Sequence, residues 1–250
     1  ELEAAFVKEA GVSIDLLGSE ATNGVEMEAL LEAAQVAMKY SVRTGSPMFN
    51  NQLYGAADPV GIAGEWLTAA LNTNVHTYEV APVFTLMEKA LLAKFAQVVG
   101  GAYVNEQQGG ADAHEGLIVP GGSIANMYGM QLARHRLFPQ CKAGGNAAAG
   151  APLVALTSSE AHYSYLKAAN LLGLGTDNLI KVQVDPSGAM DPHALDIQLS
   201  ELKTAGKLPF FVGATAGSTV LGAFDPIDKL ADVCSKHGVW LHVDGAWGGA

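Results

Sequence analysis

Leu208 to Ala214 is an unbroken apolar run, Thr215 to Thr219 is a turn of small polar residues, and Val239 to Val243 is apolar again. Runs of that length, bounded by turn residues, predict strands buried on both faces. Between them Ile227, Leu230, Ala231 and Cys234 recur at helical spacing. Asp225 is placed to cap that helix, Pro226 suits its first turn and Gly238 can end it. Two buried strands joined through a helix make a parallel βαβ unit. Ligands of such sheets gather beyond the carboxyl ends of the strands, where Thr215, Asp244 and Ala246 fall.

Upstream the period alternates in the same way. Residues 1–20 say little, although Leu2, Ala5, Phe6 and Glu9 suit a short helix ended by Gly11. A helix is expected over 22–40 on Leu30, Leu31, Ala34 and Ala37, and another over 59–73 on Ile62, Trp66, Leu67 and Ala70, ended by Asn72. Pro82 opens a third, with Leu86, Leu91, Leu92 and Phe95 on it and Gly100 closing it. Leu117 to Val119 reads as a short strand, and Ile124, Met127, Tyr128 and Leu132 carry the helix that follows. Strands at 153–157 and 179–185 are separated by a helix that Gly173 and Gly175 stop, and Asp191 with Pro192 begins a helix running to Thr204. The low-complexity stretch KAGGNAAAGAP, 142–152, reads as a mobile surface loop.

The chain is 49% hydrophobic and 16% charged, which requires a large core in one α/β domain or two small ones. Its formal net charge of -11 argues against nucleic acid and anionic membranes, both of which need a basic face. No apolar run reaches the length of a membrane span and no basic-then-apolar leader opens the chain, so a cytoplasmic protein is expected. Cys141 and Cys234 form no CxxC pair and suggest neither a metal site nor a disulfide; Cys234 is expected inside its helix.

Four features carry candidate chemistry. Gly122 and Ser123 stand where a helix begins, and the free N–H groups of a helix start make an anion site that glycine lets a ligand approach. The pattern is not the GxGxxG of dinucleotide sites. His162 follows a strand in SSEAHY, and Asp244 closes the last one. The loop YSVRTGSPMFNNQLYG, 40–55, gathers aromatic and amide residues of the kind that binding loops use.

HVDGAWGG, preceded by ATAGST and FDPI, resembles the core of the pyridoxal-phosphate decarboxylases of the glutamate and cysteine-sulfinate decarboxylase family, and NQLY and TYEVAPVF extend the likeness. It runs from Ala37 to Gly249, with the motifs in the family's order. The resemblance implies the large domain of a fold-type I enzyme, a mostly parallel, seven-stranded-type sheet with helices on both faces. Residues 1–75 would be a helical segment with the substrate loop, and 76–250 part of the cofactor-binding domain. The lysine that joins the cofactor, in an Asn-Pro-His-Lys motif beyond the aspartate, and a C-terminal small domain are not in this sequence, which reads as the N-terminal part of a longer enzyme.

The implied cofactor is pyridoxal phosphate and the implied activity is α-decarboxylation of a small acidic amino acid by a homodimer. Asp244 would pair with the pyridine nitrogen, making the ring an electron sink. His162 would stack on that ring, Gly122 and Ser123 would hold the phosphate, and Thr215 and Ala246 would complete the cofactor site. Gln52 and Tyr54 would touch substrate, in a segment that departs from the family with Ser46 and Met48 in place of His and Arg. Glutamate enzymes carry a small Ser at the position of Tyr54. An aromatic there shortens the pocket and favours cysteine sulfinate or aspartate. His76 reads as a loop histidine without a catalytic part. A nicotinamide-dependent dehydrogenase is disfavoured by the missing fingerprint, and a non-catalytic relative that keeps the fold remains the alternative.

Overall fold

Side chains at alternate positions of a strand leave on opposite faces, and in the two central strands of this protein both sets are apolar. The computed structural model describes residues 8–9, 26–50, 53–99 and 116–249. The chain divides into two compact units, Glu1–His76 and Thr77–Ala250.

The first unit contains α1 (Met27–Tyr40) and α2 (Pro59–Leu71). Asp58 caps α2 by accepting from the Gly61 N–H at 2.8 Å, and Asn72, expected to end the helix, does so in the left-handed conformation. Neither helix buries a residue.

The second unit opens with α3 (Pro82–Val99). Residues 116–119, expected to include a strand, have no regular structure: Leu117 and Ile118 are exposed and face no partner strand among the described residues. Then come α4 (Gly122–Leu137), α5 (Cys141–Gly144), β1 (Leu153–Ser158), α6 (Ser164–Leu171), β2 (Leu179–Val182), α7 (Pro192–Thr204), β3 (Leu208–Thr215), α8 (Ile227–His237) and β4 (Trp240–Asp244). The expected loop at 142–152 is ordered instead. It folds into the end of α5 and a 3-10 turn, Asn146–Ala149, because the Asn146 amide donates to Leu172 O at 2.8 Å and its oxygen accepts from Arg134 at 2.6 Å.

The four strands of the described residues are all parallel, in the order β2-β1-β3-β4. Val154, Leu156, Val212 and Ala214 face α7 and α8, where Leu195, Leu199, Leu230 and Cys234 are buried. Ala155 and Phe211 face α4 and α6, against Met130, Ala133, Tyr165 and Ala168. Burial pushes the Cys234 thiol up to about 12, which leaves it an inert core group. From β1 the chain first runs outward to β2 and then returns past β1 to β3 and β4. The carboxyl ends of β1 and β3 therefore flank a switch point, the place where such sheets leave a crevice.

Candidate functional site

Thr215 and Asp244 are register partners at the carboxyl ends of β3 and β4, and Gly213 pairs with His242 two positions earlier on the same face. This row lies on the α4 and α6 side of the sheet. His242 stacks on Phe211 with ring centroids 5.5 Å apart and meets the edge of Tyr165 at 6.2 Å. Helix α4 comes so close here that a Cβ at Gly129 would lie 2.4 Å from His242 Nδ1. Glycine inside a helix costs about 1 kcal/mol relative to alanine, and this approach is the reason for it.

Asn126, buried on α4, joins the row to the helices. Its amide nitrogen donates to Asp244 Oδ2 at 2.8 Å and to Ser164 Oγ at 2.9 Å, and its oxygen lies 2.8 Å from His242 Nε2. The second carboxylate oxygen of Asp244 accepts from the Ala246 N–H at 3.1 Å. Burial holds the His242 ring below its ordinary pKa, with the neighbouring charge of Asp244 acting the other way.

The same helix starts at the site. Gly121 precedes it at φ 98, a conformation that side chains disfavour, and Gly122 and Ser123 begin it exposed. Their N–H groups have no acceptor within the helix, and a Cβ at either glycine would meet nothing within 4 Å. This is open space in front of an N-terminus.

Asp225 does not cap α8, contrary to the sequence expectation. Its carboxylate is buried and accepts from the Met190 and Thr215 N–H groups, each at 2.7 Å, which ties the loop after β3 to the end of that strand. Burial raises its pKa against those two hydrogen bonds. The backbone of Thr215 is thus fixed while its hydroxyl oxygen is buried without a hydrogen-bond partner. The Tyr165 hydroxyl is likewise unpartnered, and burial together with the charges of Asp244 and Asp225 keeps its proton on.

His162, half-buried, lies on the loop between β1 and α6. Its Nδ1 accepts from the Ser164 N–H at 3.2 Å and its ring leans on Tyr163 at 4.2 Å between centroids. Through Ser164 it connects to Asn126. Gly122, Ser123, His162, Thr215, Asp244 and Ala246 all belong to the second unit. Tyr54 is in the first, exposed, with its ring 5.8 Å from that of Phe49. Gln52 lies outside the described residues.

Asn126 and His242 were not singled out from sequence. The stripe of α4 that faces the sheet is Asn126, Met130 and Ala133, whereas Tyr128 and Leu132, expected to carry the helix, are exposed. An amide four residues before a buried Met and seven before a buried Ala was the available signal. Beside that stripe Gly129 leaves the space that the His242 ring takes up.

The model of the pyridoxal-dependent decarboxylase conserved domain matches residues 12–250. Cysteine sulfinic acid decarboxylase of Rattus norvegicus is 47% identical over 229 residues, covering 92% of this chain and 44% of its own. Glutamate decarboxylase of Drosophila melanogaster is 45% identical, covering 89% of this chain and 42% of its own. The crystal structure of mouse CSAD superposes with a TM-score of 0.87 at 44% identity, over 98% of this chain and 48% of that one. The chain spans less than half the length of these relatives.

Proposed function

The chain belongs to the pyridoxal-dependent decarboxylase family, and on that premise we propose that it is the cofactor-binding part of an enzyme that removes the α-carboxyl group of an acidic amino acid. Cysteine sulfinate or aspartate is favoured over glutamate. The observation that carries the reading is Asp244 at a strand end, held on both oxygens by N–H donors and adjacent to a buried hydroxyl without a partner.

These residues suit pyridoxal phosphate. The open helix start at Gly122 and Ser123 suits the phosphate, the Asp244 carboxylate suits a protonated pyridine nitrogen, and Thr215 offers the unpartnered hydroxyl. His162 supplies an aromatic face and Ala246 lines the site beside Asp244. When bound, the cofactor supplies an electron-accepting ring for the electron pair left as carbon dioxide departs. Asp244 would keep the pyridine nitrogen protonated, because a carboxylate favours the charged form. Asn126 and the Ala246 N–H keep that carboxylate from turning away. The Thr215 hydroxyl is left to bond an incoming ligand, with its backbone already fixed by Asp225.

Gln52 and Tyr54 are assigned to substrate, with the aromatic ring shortening the pocket. Among the described residues no helix is long and apolar enough to cross a membrane, in keeping with a cytoplasmic enzyme. We assign a homodimer as the working form; α1 and α2 bury nothing within their own unit.

The test is carbon dioxide release by the purified full-length protein supplied with pyridoxal phosphate. Cysteine sulfinate, aspartate and glutamate are each offered. Release from the first two above the third supports the reading, and release from none of them removes it in favour of a non-catalytic relative.

A further inference from the structure

An asparagine amide can turn end over end with little change in shape, but its two ends have opposite hydrogen-bonding character. At Asn126 one end faces Asp244, whose carboxylate oxygens accept. Only the orientation with nitrogen toward Asp244 is productive. Ser164, at the same end, cannot select it, because a hydroxyl serves as donor or acceptor. Asp244 itself calls for the nitrogen, and the second constraint on the amide comes from the opposite end, where His242 Nε2 stands 2.8 Å from the amide oxygen.

We propose that His242 is a positioning residue for the strand-end carboxylate: as the Nε2–H tautomer it donates to Asn126 Oδ1 and so fixes the amide nitrogen on Asp244. The surroundings of the ring fit that tautomer. Nδ1 faces the bare backbone of Gly129 and has no hydrogen-bond partner among the described residues, so nothing there calls for a proton. Phe211 lies along the ring face and Tyr165 at its edge, which fix the ring plane. The charged group nearest in chain order is Asp244, and burial outweighs it in keeping the ring neutral with a single proton. Gly129 admits the ring, His242 orients Asn126, and Asn126 orients Asp244. The importance of this relay to catalysis rests on the assignment of Asp244 to the pyridine nitrogen; the tautomer and the amide orientation do not.

Two measurements on the full-length protein test it. The first is the side-chain 15N and 13C shifts of His242 in isotope-labelled protein near neutral pH, assigned through bonds from the His242 backbone. Protonation at Nε2 alone is expected; a proton on Nδ1, or on both nitrogens, overturns the proposal whether or not any variant folds. The second compares His242→Gln with His242→Phe. Glutamine sets its amide nitrogen the same number of bonds from Cβ as Nε2 and restores a donor, whereas phenylalanine keeps the ring and removes the donor. Pyridoxal phosphate affinity, read by quenching of protein fluorescence, should fall about tenfold or more in the Phe variant and stay within about threefold in the Gln variant. A residue that serves only to pack would show the reverse order, and that order, or equal losses in both, overturns the proposal. If the unmodified protein binds no pyridoxal phosphate, the assigned cofactor fails, while the shift measurement still decides the positioning role.

Discussion

The side-chain amide of Asn126 donates to Oδ2 of Asp244 at 2.8 Å across 118 positions of sequence. This bond joins the first turns of α4, whose starting N–H groups face open space, to the end of β4, where a carboxylate is presented. Asn126→Leu removes the bond at nearly constant volume and takes a partner from three polar groups, on Asp244, His242 and the buried Ser164. Each such loss costs about 1–3 kcal/mol. The variant should have a lower midpoint in thermal unfolding and bind pyridoxal phosphate at least about tenfold more weakly, by fluorescence titration of the full-length protein. An unchanged midpoint and affinity would contradict the linkage.

Asp244→Asn tests the chemistry rather than the scaffold. The amide keeps the size of the side chain but cannot hold a pyridine nitrogen in its protonated form. Turnover in the full-length enzyme should fall on the order of a thousandfold or more, with an unaltered circular dichroism spectrum. A turnover like that of the unmodified enzyme would remove Asp244 from the mechanism.

Gly129→Ala sets a gain against a loss. Alanine favours the helix by about 1 kcal/mol, but its Cβ would lie 2.4 Å from Nδ1 of a ring already packed on Phe211 and Tyr165. Overpacking of that kind costs about 1–3 kcal/mol, so net destabilisation is expected. Urea unfolding of the two proteins decides the sign; a more stable variant would mean that α4 can move away from β4 freely.

His242 also gives stability a pH dependence. Its folded pKa lies below the ordinary value of 6.5 because the ring is buried, so the folded protein binds fewer protons there than the unfolded chain. Its contribution is complete above that value and is lost as pH falls from there through the lower folded value. The stability gap between the unmodified protein and His242→Gln should therefore move against the unmodified protein between about pH 7.5 and pH 5. A gap constant over that range would show that the ring is not held neutral.

What the sequence made legible was the βαβ frame. β3, α8 and β4 follow from two apolar runs and a helical stripe, all local patterns, and Asp244 at a strand end follows with them. The role of Asp225 did not, because Asp-Pro before a helix reads as a cap, whereas its bonds to Met190 and Thr215 depend on folding that the local pattern does not encode. The stretch at 142–152 lacks any hydrophobic period and was read as a loop, yet it is held by one side chain, Asn146. Asn126 has partners 38, 116 and 118 positions away, and no periodicity marks such a hub. The helix start at Gly122 and Ser123 and the strand end at Thr215 were legible as places for a ligand, whereas which ligand they hold, and the ring-stacking role of His162, came from family resemblance.

Substrate choice is assigned to Tyr54. Tyr54→Ser should raise glutamate turnover relative to cysteine sulfinate in the full-length enzyme. One methylene of pocket length is worth about 1–3 kcal/mol, so the ratio of kcat/KM values should shift by about tenfold or more. An unmoved ratio would mean that pocket length is set by other residues.

The most direct measurement of the central claim is the 15N chemical shift of pyridine-labelled pyridoxal phosphate bound to the full-length protein, recorded with Asp244 in place and again with Asp244→Asn. The expected result is a protonated ring nitrogen in the first and an unprotonated one in the second. The same protonation state in both, or an unprotonated nitrogen with Asp244 present, would contradict it.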